Sequence, residues 1–211
     1  MQKISTSFLS SKDVIDDLIT LEATTTDFIH VDVMDGKFVK SKCSPYRALN
    51  RLSNVLKKRL DVHLMVKKPL KYIPKYLKLN TECICIHVEL DDDVIRKSLN
   101  LIKSYGILCG LAINPNTDIE YLESYLDLID VIIVMSVEPG LGGQSFIETT
   151  PDKIDNIKKM IGKKNILISV DGGINIDTIS KVKKADIVVS GSYIINSDNF
   201  EERINSLRKK K

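Results

Sequence analysis

Short apolar runs alternate with longer amphipathic stretches along the whole chain. The runs cover residues 4–7, 28–34, 60–66, 83–88, 108–114, 131–137, 166–170 and 186–190. They are rich in Val and Ile and mostly continuous, the pattern of parallel strands covered on both faces. Between them lie stretches with helical spacing. Residues 11–21 carry Val14, Ile15, Leu18 and Leu21, and residues 92–105 carry Val94, Ile95, Leu99, Leu101 and Ile102. Residues 118–126 open on an Asp suited to an N-cap. Residues 151–160 open on a proline suited to a first helical turn. Residues 175–182 and 199–207 close the series, and 69–79 is the weakest member because Pro74 interrupts it.

Eight strand–helix units in 211 residues average about 26 each. That predicts one domain over residues 1–211, an α/β (β/α)8 TIM barrel somewhat shorter than the usual ~250 residues. A doubly wound open sheet is the rival. Two features favour the barrel: no Gly-x-Gly-x-x-Gly follows the first run, and polar residues close several non-adjacent runs. No linker, low-complexity tract or literal repeat interrupts the rhythm.

The polar residues within the runs carry the chemistry. In Ile29-His30-Val31-Asp32-Val33-Met34-Asp35-Gly36, the side chains of His30, Asp32 and Met34 leave one face. Asp35 has the opposite parity and, with Gly36, reads as a turn or support residue. In Leu60-Asp61-Val62-His63-Leu64-Met65, the trio Asp61, His63 and Met65 again shares a face. The run at 166–170 leads into Asp171. Two histidines and two aspartates thus converge at the C-terminal ends of three runs, the catalytic face of a barrel. A His and a carboxylate are costly to bury without partners. Two imidazoles with two carboxylates suit a divalent transition metal such as zinc or iron better than magnesium.

Glycines mark a second part of the site. Pro139-Gly140-Leu141-Gly142-Gly143-Gln144 follows the sixth run, Gly172-Gly173 the seventh and Gly191-Ser192 the eighth. Loops in the last two places are where barrels of this type often bind phosphate. Met34, Met65 and Met135 lie near strand ends with inward parity, as core packing or as an apolar collar that keeps water from a reactive intermediate.

Charge and composition narrow the class. Lys+Arg of 31 against Asp+Glu of 28 leaves +3, which argues against a dedicated nucleic-acid binder. No apolar run approaches the ~18 residues of a membrane span. The N-terminus lacks a signal-peptide stretch, which predicts a cytoplasmic protein. Cys43, Cys83, Cys85 and Cys109 form no Cys-x-x-Cys pair. Cys83 and Cys85 read as reduced, buried small hydrophobes. The Asp91-Asp92-Asp93 run reads as a solvated helix start and Lys209-Lys210-Lys211 as a solvated tail.

Five segments together resemble the ribulose-phosphate 3-epimerase family: residues 30–36, 61–65, 135–144, 170–173 and 191–192, in that family's order and spacing. The opening Ser7-Phe8-Leu9-Ser10 resembles the family's Ser-Ile-Leu-Ser and implies that Ser7 meets substrate. The resemblance implies His30, Asp32, His63 and Asp171 as ligands of one divalent metal ion, Zn2+ first, with Fe2+, Mn2+ or Co2+ as the others. It implies Asp32 and Asp171 as the acid–base pair. Gly140, Leu141, Gly142, Gly143, Gly172, Gly173, Gly191 and Ser192 would contact the sugar phosphate, with Met34, Met65, Met135 and His63 also at the substrate.

The implied activity is interconversion of D-ribulose 5-phosphate and D-xylulose 5-phosphate in the pentose phosphate pathway, by a homo-oligomer, dimer or hexamer. An allulose 6-phosphate 3-epimerase is the alternative, and a non-catalytic sugar-phosphate-binding barrel the remote one. The chain departs from the family at Thr6, where a Pro is usual, at Lys37 and Lys40, where His and Pro often stand, and at Leu141, where Phe is usual.

Overall fold

The computed structural model of the chain describes residues 2–209; of the tail, Lys210 and Lys211 lie outside the described residues. The strands are β1 (Lys3–Ser7), β2 (Phe28–Asp35), β3 (Lys42–Cys43), β4 (Arg59–Met65), β5 (Thr81–His87), β6 (Leu108–Ile113), β7 (Val131–Met135), β8 (Leu167–Asp171) and β9 (Ile187–Ser190). All but β3 pair in parallel, in the order β1-β9-β8-β7-β6-β5-β4-β2, and β2 pairs back with β1 to close the barrel. β3 is a two-residue antiparallel addition to the end of β2, with Met34 opposite Cys43 and Asp35 opposite Lys42. A pairing this short leaves no periodic signal in the sequence.

The helices are α1 (Val14–Glu22), α2 (Tyr46–Arg51), α3 (Ile73–Tyr76), α4 (Asp92–Lys103), α5 (Thr150–Ile161), α6 (Ser192–Ile195) and α7 (Phe200–Lys209). α1 starts where the Asp13 carboxylate accepts the N–H groups of Ile15 and Asp16, and it buries Leu18 and Leu21. α4 opens on Asp92 and Asp93, which pair four residues on with exposed Arg96 and Lys97; this is the expected solvated helix start. Two predicted helices are instead 3-10 turns, Ile119–Tyr125 and Ile179–Val182. Their buried residues explain this: Leu122 with Tyr125 and Ile179 with Val182 are spaced by three, the period of that tighter helix. Asp118 makes no side-chain cap. The weak 69–79 stretch splits into a 3-10 turn, Pro69–Lys71, and α3, with Pro74 in the first turn where its missing N–H costs little.

Outward side chains such as Val31, Val33, Leu64, Ile86 and Val134 are fully buried against the helices. The barrel interior is divided. On the β5–β7 side, Cys83, Cys85, Ala112, Val131, Ile133 and Met135 form a separate apolar cluster. Gly110 belongs there because a Cβ would lie 2.5 Å from the Val131 carbonyl and 2.6 Å from Cys85 Sγ. On the β1–β2–β4 side the interior is polar: Ser5, Ser7, His30, Asp32, Asp61 and His63 are all buried. Thr6 faces the other way, where its hydroxyl meets that of Thr26 at 2.8 Å; a proline there could not make this contact.

Candidate metal centre and active-site cleft

Strand register builds the centre. The β2–β4 ladder places His30 beside Asp61, Asp32 beside His63 and Met34 beside Met65. Closure of the barrel brings Asp171, the last residue of β8, over the same space. One ligand atom from each of His30, Asp32, His63 and Asp171 lies within 4.8 Å of all the others. His30 Nε2 is 3.6 Å from Asp32 and 3.5 Å from Asp171; His63 Nδ1 is 3.9 and 3.4 Å from the same carboxylates. Both nitrogens are buried and have no hydrogen-bond partner among the described residues. Unpartnered buried nitrogens are costly. Their lone pairs, facing two carboxylates, fit a divalent cation, and this donor set suits a first-row transition metal.

Further contacts orient the candidate ligands. His30 Nδ1 lies 2.8 Å from Asp61 Oδ2, which also accepts the Ser5 hydroxyl at 2.8 Å, while Cys83 Sγ donates to Asp61 Oδ1 at 3.0 Å. The Ser7 hydroxyl donates to Asp32 Oδ2 at 2.7 Å. His63 Nε2 meets His87 Nε2 at 2.9 Å, and His87 Nδ1 meets Glu89 Oε2 at 2.9 Å. Such outer contacts fix ring orientation and tautomer. Asp35 acts as the expected support. It accepts the N–H groups of Lys37, Phe38 and Lys67, tying together the loops after β2 and β4.

The charges are strongly coupled. Burial pulls His30 toward its neutral form, but Asp61, Asp32 and Asp171 outweigh it and hold the imidazole well above its ordinary pKa. Burial pushes Asp61 and Asp171 up; His30, joined by His63 at Asp171, wins and holds both below the usual carboxylate range. His87 behaves oppositely: burial dominates and lowers it to about 4, so it is neutral near pH 7.

Above the candidate ligands opens a cleft of about 560 Å³, open solvent at its mouth included. Asp32 and Asp171 reach it, and Met34, Met65 and Met135 line it beside them, each almost wholly buried. Ser7, Gly140, Leu141, Gly142 and Gly143 line a further part, and Gly172, Gly173, Gly191 and Ser192 come from the adjacent ends of β8 and β9. His30 and His63 are fully buried and not part of the cleft wall, so His63 enters the site as a candidate ligand. Leu141 is 66% exposed at the loop tip.

Several contributors escaped the sequence reading. Leu9, Ser10, Val137 and Ile174 also line the cleft. Gln144 Nε2 donates to the carbonyls of Glu138 and Leu141, closing the glycine loop on itself. The Asp61, His87 and Glu89 contacts were missed as well. The period-two pattern Cys83, Cys85, His87 was the available signal for His87, since it puts that imidazole on the inward face.

Gly173 has φ +65°, and a Cβ there would stand 2.8 Å from Phe146 N and 2.9 Å from Phe146 Cα. Those are main-chain atoms that cannot swing away. Gly173→Ala is therefore expected to destabilise the fold by about 1–3 kcal/mol and to raise KM. Gly162→Ala is the control: its φ is +57°, but nothing lies within 4 Å of the added methyl. Equal losses in denaturant melts of the two variants would contradict the clash.

Comparison with known proteins follows the same outline. Residues 3–195 match the sequence profile of the "Ribulose-phosphate 3 epimerase family". The ribulose-phosphate 3-epimerase of Buchnera aphidicola subsp. Baizongia pistaciae is 42% identical over 200 residues, covering 92% of this chain and 87% of that protein. That of Bacillus subtilis is 34% identical over 215 residues and covers 99% of each. Among solved structures, the 3-keto-L-gulonate-6-phosphate decarboxylase of Vibrio cholerae superposes with a TM-score of 0.74 at 13% identity, covering 100% of this chain and 97% of that one, a likeness of fold alone. Among the described residues no helix is long and apolar enough to cross a membrane.

Proposed function

The chain belongs to the ribulose-phosphate 3-epimerase family, and from that premise we propose that it interconverts D-ribulose 5-phosphate and D-xylulose 5-phosphate by two-base proton transfer at C3. The observation that carries this reading is the pair Asp32 and Asp171. Two carboxylates from β2 and β8 reach one cleft and both face the same two orphaned imidazole nitrogens.

Inverting C3 requires a proton to leave one face and another to arrive on the opposite face. A single base cannot readily serve both, whereas two carboxylates flanking the carbon can. Asp171 lies 3.5 Å from His30 Nε2 and 3.4 Å from His63 Nδ1, and as a carboxylate it would accept the proton at the start of a turnover. Asp32 is oriented by the Ser7 hydroxyl, which occupies Oδ2 and leaves Oδ1 toward the ligand cluster. His30, Asp32, His63 and Asp171 would hold a divalent cation, Zn2+ first, which as a Lewis acid would stabilise negative charge on the substrate oxygens beside C3. The three methionines present an apolar wall that limits water near the reacting carbon. Main chain at Gly172, Gly173, Gly191 and Ser192 would grip the phosphate, fixing the far end of the sugar and orienting C3 between the two bases.

This reading makes the protein a metal-dependent sugar-phosphate isomerase built on a barrel over residues 1–211. A coupled assay on the Zn2+-loaded protein tests it, with allulose 6-phosphate as the competing substrate. Ribulose 5-phosphate is expected to win by about a hundredfold in kcat/KM, the discrimination one extra carbon allows. Preference for the six-carbon substrate would overturn the assigned substrate. Turnover of neither, with any of the four cations, would overturn the enzyme reading and leave a binding protein.

A further inference from the structure

All three histidines of the chain meet at this centre, and two of them are assigned as ligands. The third, His87, is fully buried at the end of β5. Its ring lies edge to edge with that of His63, with centroids 5.0 Å apart and planes 26° apart, and Phe38 packs on it with centroids 4.6 Å apart. We infer that His87 and Glu89 are positioning residues that fix the tautomer of His63, so that its Nδ1 always presents a lone pair to the ligand cluster. The inference rests on the metal-centre reading given above.

Two ring nitrogens 2.9 Å apart share a single hydrogen, so either His63 or His87 donates. Glu89 decides which. Its Oε1 accepts the Asn114 N–H at 2.8 Å, a group that can only donate, and the Thr117 hydroxyl at 2.7 Å. Its Oε2 is left for His87 Nδ1 at 2.9 Å. As a carboxylate acceptor, Glu89 requires the proton on His87 Nδ1, which leaves His87 Nε2 bare. His87 Nε2 must then accept from His63 Nε2–H. A neutral His63 with its proton on Nε2 has its lone pair on Nδ1, the atom that faces Asp32 and Asp171 without a hydrogen-bond partner among the described residues. The opposite order would put a proton where a cation must bind.

Glu89→Gln keeps the shape and reverses the order. Its NH2 cannot face the Asn114 N–H, so it turns to His87 Nδ1, which must now accept. His87 is then protonated on Nε2 and His63 on Nδ1. The test is long-range 1H–15N NMR of the His63 and His87 imidazoles in cation-free protein at about pH 8, where histidine is ordinarily neutral, with Zn2+ affinity from chelator competition. The wild type is expected to show His63 as the Nε2–H and His87 as the Nδ1–H tautomer. Glu89→Gln should invert both and weaken Zn2+ binding about ten- to a hundredfold. His87→Leu should weaken it similarly, whereas His87→Gln, which restores an acceptor opposite His63 Nε2, should recover most of the affinity.

A wild-type His63 protonated on Nδ1 alone would overturn the proposal. So would a folded Glu89→Gln variant with unchanged tautomers and affinity. If Glu89→Gln or His87→Leu fails to fold, the wild-type tautomers decide. Failure of the wild type to bind any of the four cations would instead overturn the metal-centre reading, and the tautomers would still decide the relay.

Discussion

Asp171→Asn is expected to lower kcat for ribulose 5-phosphate by at least about 10²–10⁴-fold, the range for loss of a positioned acid or base. Asp32→Asn should fall as far if, as proposed, each enantioface of C3 is served by one carboxylate. The amide keeps the volume and the hydrogen-bonding oxygen but cannot take up the proton. It also weakens one of four candidate ligands. Metal content after loading must therefore be measured beside kcat. The double variant should be no slower than the worse single variant, since residues that act as one unit are not additive. A single variant that holds its cation and keeps more than about a tenth of the wild-type kcat would remove that residue from the acid–base pair.

Cation and proton compete for the same centre, and this sets the second large effect. His30 is held well above its ordinary value by Asp61, Asp32 and Asp171 despite the opposing cost of burial. A raised folded-state pKa contributes stability that is fully present below the unfolded value, about 6.5, and is lost as pH rises through the folded value. Cation-free protein should thus lose melting temperature as pH climbs above neutrality. Asp171 acts in the opposite sense, but its depressed pKa confines that loss to strongly acid solution.

A bound cation must displace the His30 proton. Affinity should rise about tenfold per pH unit below the raised His30 value and flatten above it. At a hundredfold excess over Kd, loading should add about 2.7 kcal/mol of stability. Calorimetric melts with and without Zn2+ across this pH range check both signs. A cation-free protein whose melting temperature rises over the same range would contradict the charge assignment at His30.

The barrel was legible because its strands bury both faces and so write themselves as continuous apolar runs. The candidate ligands were legible because they violate that pattern: His30 and Asp32 alternate with Val31 and Val33, a spacing that puts both on the inward face. What failed to show was whatever depends on register or on contact between distant segments. Asp61 shares the inward face of β4, but only its alignment with His30 on β2 reveals that it holds that ring. Glu89 lies beyond the strand, and its role depends on Asn114 and Thr117, more than twenty residues away. The 3-10 turns resemble α-helices in sequence because spacings of three occur in both patterns. Thr6, a departure from the family's usual proline, is accounted for by its contact with Thr26, which no local pattern announces.

The central claim is that two carboxylates divide the proton transfer between them. Early turnover in D2O, followed by 1H NMR of both epimers, tests it most directly. With two bases, the product carries deuterium at C3 from the first turnover while unreacted substrate keeps its hydrogen. Product that retains the substrate's own C3 hydrogen would mean that one group serves both faces, and would contradict the assignment of Asp32 and Asp171 as an opposed pair.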